Sequence, residues 1–154
     1  MIKLKRILVP TDFSEPSQSA MMYARAFAAE FDAALHILHV TEDPFVYAPV
    51  SEGFVPPPRF HEEMEAAARS RLESLLTSDE REQFHARLML RTGSPFVEIV
   101  RYAKAEEIDL IVMGTHGRGA IAHMLLGSVA ERVVRKAPCP VLTVRRPEHE
   151  FVMP

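Results

Sequence analysis

Short apolar runs alternate along this 154-residue chain with apolar residues at helical spacing, an order that few folds accommodate. Five runs read as strands: "RILVP" (Arg6 to Pro10), "ALHILHV" (Ala34 to Val40), "ARLML" (Ala86 to Leu90), "DLIVMG" (Asp109 to Gly114) and "PVLTVR" (Pro140 to Arg145). The first and fourth are continuously apolar at their centres, the pattern of a strand covered on both faces. Between the runs lie Ala20, Ala24, Phe27, Ala28 and Phe31, then Met64, Ala68, Leu72, Leu75 and Leu76. Phe96, Val100 and Ala103 make a third set, and Val129, Ala130, Val133, Val134 and Ala137 a fourth. Each set puts its apolar side chains on one side of a helix. Ser14 stands where the first helix needs an N-cap, and Ser94-Pro95 offers a cap followed by proline at the first helical position. Strand and helix in alternation require right-handed crossovers, and so one α/β domain: a parallel sheet with helices on both faces.

Composition removes several function classes. A net charge of -3 argues against a general nucleic-acid binder, which normally shows a basic surplus or stripe. The single cysteine, Cys139, excludes an internal disulfide and a thiolate metal cluster, and fits a reducing compartment. In the opening "MIKLKRILVP" the apolar run is only Ile7 to Val9, too short for a signal sequence, and no apolar run reaches the roughly 20 residues of a membrane span. A cytoplasmic location is expected. Two segments break the strand–helix rhythm. "EDPFVYAPVSEGFVPPPRF" (Glu42 to Phe60) carries five prolines and four aromatics after the second strand, and reads as an insertion or a lid. The end, "RPEHEFVMP", has no periodicity, so residues 1–146 are expected to form the domain and 147–154 a flexible tail.

The chain has six glycines, and four of them (Gly114, Gly117, Gly119, Gly127) fall within "GTHGRGAIAHMLLGS", Gly114 to Ser128. This stretch leaves the C-terminal end of the fourth strand, where open α/β sheets bind ligands, and ends where the last helix begins. A helix N-terminus offers unpaired N–H groups and partial positive charge, and glycine lets a phosphate approach the backbone. Ser128 adds a hydroxyl, and His116 and Arg118 are near in sequence. The competing reading is a tight turn with two helix caps. Three familiar phosphate sites are excluded. No glycine precedes a lysine, as a Walker A loop requires. The turn after the first strand, "PTDFSEPS", lacks the glycines of a dinucleotide-binding fingerprint. The third strand ends in "RTG", without the aspartate of a response regulator.

Together, "VPTDFSEPS" and "DLIVMGTHGRGAIAHMLLGSVAERVVRKAPCPVLTVR" resemble the universal stress protein family, of the UspA type. Its ATP-binding members carry glycine, two residues, glycine, nine residues, glycine, then serine or threonine. Gly114, Gly117, Gly127 and Ser128 meet that spacing. The resemblance implies a five-stranded sheet of order 3-2-1-4-5 with ATP, alone or accompanied by Mg, between the ends of the first and fourth strands. Pro10, Thr11 and Asp12 would border the adenosine, and Val40 would offer backbone hydrogen bonds to the adenine edge. Gly114, Gly117, Gly127, Ser128 and Val129 would line the phosphates and ribose, with Met113, His116 and Arg118 adjacent. The implied role is a nucleotide-dependent regulator in stress response. The alternatives are a slow ATP hydrolase or autokinase using Asp12, His116 or Ser128, and an interaction module that binds no nucleotide. No paired carboxylates and no nucleophile–base spacing can be read, so no catalytic residue is assigned.

Other residues read as structural. Asp12 has an alternative role as a turn cap. His36 and His39, three apart on a strand, point to opposite faces and cannot chelate one ion. His123 and Cys139 read as surface or packing residues. The last strand would lie at a sheet edge, and Val141, Leu142, Thr143 and Val144 carry no charge to guard it, so a homodimer through that strand is expected.

Overall fold

The computed structural model describes residues 1–43, 57–116 and 126–145. Its sheet has five parallel strands in the order β3-β2-β1-β4-β5. The strands are β1 (Arg6–Pro10), β2 (Ala34–Thr41), β3 (Arg87–Thr92), β4 (Leu110–Gly114) and β5 (Val141–Val144). The helices are α1 (Glu15–Phe31), α2 (Phe60–Glu73), α3 (Ser78–Gln83), α4 (Pro95–Ala105) and α5 (Ser128–Lys136). The expected fold class and strand order are therefore observed, with strand ends shifted by one or two residues.

Period-two alternation sends neighbouring side chains of a strand to opposite layers. Ile7, Val9, Leu35 and Ile37 pack with Ala20, Ala24 and Ala28 of α1 and with Leu72 of α2. Leu8, Leu38 and Ile111 pack on the other face with Ile99 and Tyr102 of α4 and Val133 of α5. His36 is buried in this second layer, its Nδ1 2.8 Å from the Tyr102 hydroxyl. The two histidines of β2 do face opposite sides, since His39 stacks on Phe13 in the layer that holds Ile37.

Three local expectations need correction. Ser14 and Ser94 occupy the N-cap positions of α1 and α4, but neither side chain makes the capping bond. The Ser14 hydroxyl donates to Asp12 Oδ1 instead. The helix through Met64 ends at Glu73, so Leu75 and Leu76 lie beyond it. The polar helix α3 then follows, opened by a capping box: Thr77 Oγ1 accepts from Glu80 N, and Glu80 accepts from Thr77 N. The centre of the Glu42 to Phe60 segment, residues 44–56, lies outside the described residues, as do His123 and 146–154.

Candidate functional site

β1 is flanked by β2 on one side and β4 on the other, and the chain winds outward from both. The crossovers on the two sides diverge at this point and leave a crevice beyond the C-terminal strand ends. The crevice has a volume of about 540 Å³, within the range of small-molecule sites.

Ten of the residues singled out in the sequence line it. Pro10, Thr11 and Asp12 come from the end of β1, and Val40 from β2. Met113, Gly114 and His116 come from the end of β4 and the residues after it, and Gly127, Ser128 and Val129 from the start of α5. Gly117 and Arg118 lie outside the described residues. The sequence reading missed Ser17, His39, Met64, Ile99 and Thr115, which also line the crevice. His39 and Thr115 directly adjoin Val40, Gly114 and His116 at the strand ends, and that adjacency is the signal that marks them. Met64 and Ile99 belong to apolar helical stripes and carry no separate signal.

The turn after β1 is tightly specified. Thr11 Oγ1 accepts from Phe13 N at 3.0 Å and lies 3.1 Å from Ser17 Oγ, which donates to Ser14 O at 2.8 Å. Asp12 Oδ1 accepts from Ser14 N at 3.0 Å. Asp12 thus caps the turn and also borders the crevice. Phe13 pays for the sharp reversal with a φ of 64°, a conformation that costs a bulky residue on the order of 1–2 kcal/mol.

The two described glycines of the 114–128 stretch do different work. A Cβ built on Gly114 would lie 2.7 Å from the carbonyl carbon and from Cβ of Pro16. Gly114 is therefore bare because α1 passes directly over the end of β4, whatever occupies the crevice. Gly127 is the N-cap of α5 with φ −69° and ψ 157°, open to any residue. Its N–H donates to Thr115 O at 2.6 Å and ties the start of α5 back to β4. This leaves the first-turn amides of Ser128, Val129 and Ala130 facing no capping side chain. Thr115 is itself buried, with N donating to Val144 O and Oγ1 3.0 Å from His116 Nδ1. Among the described residues no group of three or more His, Cys, Asp or Glu side chains converges to hold a metal ion. Nor, among them, is any helix long and apolar enough to cross a membrane.

The geometry is that of a doubly wound α/β domain with a mostly apolar crevice of small-molecule size at its switch point, one wall of which is a helix N-terminus. The chain matches the model of the universal stress protein family over residues 3–145. It is 36% identical over 147 residues to a universal stress protein of Methanocaldococcus jannaschii, covering 95% of this chain and 85% of that one. The protein belongs to the universal stress protein family. Among solved structures, universal stress protein UspA from Lactobacillus plantarum has a TM-score of 0.75 at 29% identity, covering 94% of this chain and 100% of that one. Two more distant structures share the fold. A universal stress protein solved in complex with cAMP has a TM-score of 0.64 at 22% identity, covering 94% and 99%. The Archaeoglobus fulgidus universal stress protein solved in complex with dAMP has a TM-score of 0.62 at 20% identity, covering 94% and 99%.

Proposed function

We propose that the crevice binds an adenine nucleotide, ATP in its physiological form, and that occupancy regulates the protein's stability and contacts during stress. The observation that carries this reading is the convergence of an apolar wall, a polar turn and an uncapped helix N-terminus on one crevice. Val40, Ile99 and Met113 would enclose the base, with the Val40 backbone against its polar edge. Thr11 and Asp12 would meet the ribose. The first turn of α5 from Ser128, together with Gly117, Arg118 and His116, would hold the phosphates. Any Mg would be carried chiefly by the phosphate oxygens. The cAMP and dAMP complexes of distant relatives support an adenine nucleoside bearing one phosphate as the common ligand element.

Binding rather than turnover is the role we assign, since the hydroxyl that meets a crevice imidazole, Thr115 Oγ1 at 3.0 Å from His116 Nδ1, belongs to a residue buried in the turn. A cytoplasmic protein without nucleic-acid binding fits the charge and the single cysteine. The test is to denature freshly purified protein, chromatograph the released small molecules, and titrate the stripped protein calorimetrically with ATP, ADP and AMP. Co-purified adenine nucleotide or saturable ATP binding is expected. No heat and no melting shift at millimolar ATP with magnesium would sink the reading.

A homodimer through β5 accompanies this function in our reading. β5 lies at the sheet edge and pairs with β4. Pro140 O and Val144 O both accept from the β4 side, from Ile111 N and Thr115 N. In a parallel ladder alternate residues face alternate neighbours, so Val141 and Thr143 direct their backbone groups outward, where a second copy would pair.

A further inference from the structure

The turn that borders the crevice is gripped from its far side by helix α2. Phe13 directly follows Asp12, and its φ of 64° lies in the left-handed region that aromatic residues avoid. Its ring stacks on the His39 imidazole, with centroids 4.4 Å apart and an interplanar angle of 38°. Over the same ring lies the Arg71 guanidinium of α2, 4.2 Å from the centroid. His39 Nδ1 is 2.7 Å from the Thr11 carbonyl oxygen. A carbonyl only accepts, so Nδ1 carries a proton and donates. The strained Phe13 is thus held between β2 and α2 while its neighbours, Thr11 and Asp12, face the crevice.

α2 also reaches the crevice by a second route. Met64, which lines it, stands seven residues before Arg71 and so on the same side of the helix. Yet α2 is lightly held, with only Ala68 and Leu72 buried. Elements that respond to ligands come from this weakly anchored class.

We propose that Phe13 couples occupancy of the crevice to the docking of α2, so that ligand binding is reported at the protein surface along α2. The ligand half of the proposal rests on the nucleotide reading, whereas the mechanical link between turn and helix does not. A ligand that favours the observed turn favours the ring position that Arg71 covers. By thermodynamic reciprocity, loosening Arg71 must weaken that ligand by the same factor.

Amide exchange followed by NMR on the full chain, with and without ATP and magnesium, tests both halves. Without nucleotide, Arg71→Ala should speed exchange of the Phe13 and Ser14 amides, although the substitution sits on α2. With nucleotide, exchange across residues 60–73 of the parent should slow. Arg71→Ala should weaken ATP binding about two- to fivefold, equivalent to the roughly 0.5–1 kcal/mol of an exposed cation over a ring. Arg71→Lys, which keeps a cation there, should recover part of the loss. Phe13→Gly separates coupling from folding, because glycine adopts the turn without strain. This variant should stay folded and bind ATP more weakly, with an α2 that no longer responds. Unchanged exchange at the turn in Arg71→Ala overturns the link, and so does a parent that binds ATP with no change in α2. If the parent binds no ATP, the nucleotide reading falls and the coupling is decided by the ligand-free comparison alone.

Discussion

Replacing Gly114 with alanine is the sharpest test of why that glycine exists. The added methyl would meet the Pro16 carbonyl carbon and Cβ at 2.7 Å and the Pro16 carbonyl oxygen at 2.9 Å. Carbon atoms pack at about 3.5–4.0 Å, so the start of α1 would have to retreat by roughly 0.8 Å or more. Much of the obstacle is backbone, and rotating a side chain cannot clear it. Nor can α1 yield locally, because Ala20, Ala24 and Ala28 seat it against the sheet at 0%, 0% and 2% exposure. Overpacking costs about 1–3 kcal/mol where the surroundings can give, and a helix held this closely belongs at the upper end. A loss of about 3 kcal/mol corresponds to a fall in Tm of about 6–12 °C in a chain of this size. Urea unfolding followed by circular dichroism, with a parallel thermal scan, measures it. The competing explanation, that Gly114 is bare to admit a phosphate, expects the opposite pattern: parental stability with lost ATP affinity. A stability loss below about 0.5 kcal/mol, within the range of ordinary surface substitutions, would refute the packing argument.

Gly127→Val should reverse that pattern, keeping stability within about 0.5 kcal/mol because its backbone suits any residue. ATP affinity measured by calorimetry should fall about tenfold, or 1.4 kcal/mol. ATP at about a hundred times its Kd should stabilise the parent by roughly 2.7 kcal/mol, read as a rise in Tm, and should do so less in this variant at the same ATP concentration. Burial, followed by the nearby charge of Arg87, holds the His36 imidazole below its ordinary range, so the unfolded chain takes up the proton more readily. Its contribution is complete above the ordinary histidine value of about 6.5 and is lost as pH falls from there toward the depressed folded value. Urea midpoints at pH 7 and pH 5 should therefore differ more for the parent than for His36→Gln. Thr143→Pro removes an outward-facing donor of β5 and should shift the protein to monomer in light scattering, with ATP binding largely kept. A parent that is monomeric at tens of micromolar would refute the homodimer, and a variant that stays dimeric would place the interface elsewhere.

What the sequence reveals here is what neighbours in sequence determine. Ile7, Leu8 and Val9 announce a strand covered on both faces because burial of both layers demands apolar side chains at every position. Helix α3 shows the limit of that signal. Ser78 to Gln83 contains no apolar residue to set a period, yet "TSDE" carried the capping-box pattern of Thr77 and Glu80, a cue independent of hydrophobicity. Ser14 stands at the N-cap as its sequence position implies, but its hydroxyl donates to Asp12, because a carboxylate two residues back is a strong acceptor that orients the side chain away from the amides whose N–H it would accept as a cap. Gly114 marks the deeper boundary. From the sequence it is one of several glycines in a phosphate-like loop, and only the passage of Pro16 over the end of β4 supplies another reason for its missing side chain. The grip of Arg71 on Phe13 is still less legible, since the two are 58 residues apart and meet only because α2 packs beside α1 on one face of the sheet. Residues that line the crevice were thus readable from strand ends and helix starts, whereas the residues that hold the lining in place depend on which elements the topology makes neighbours.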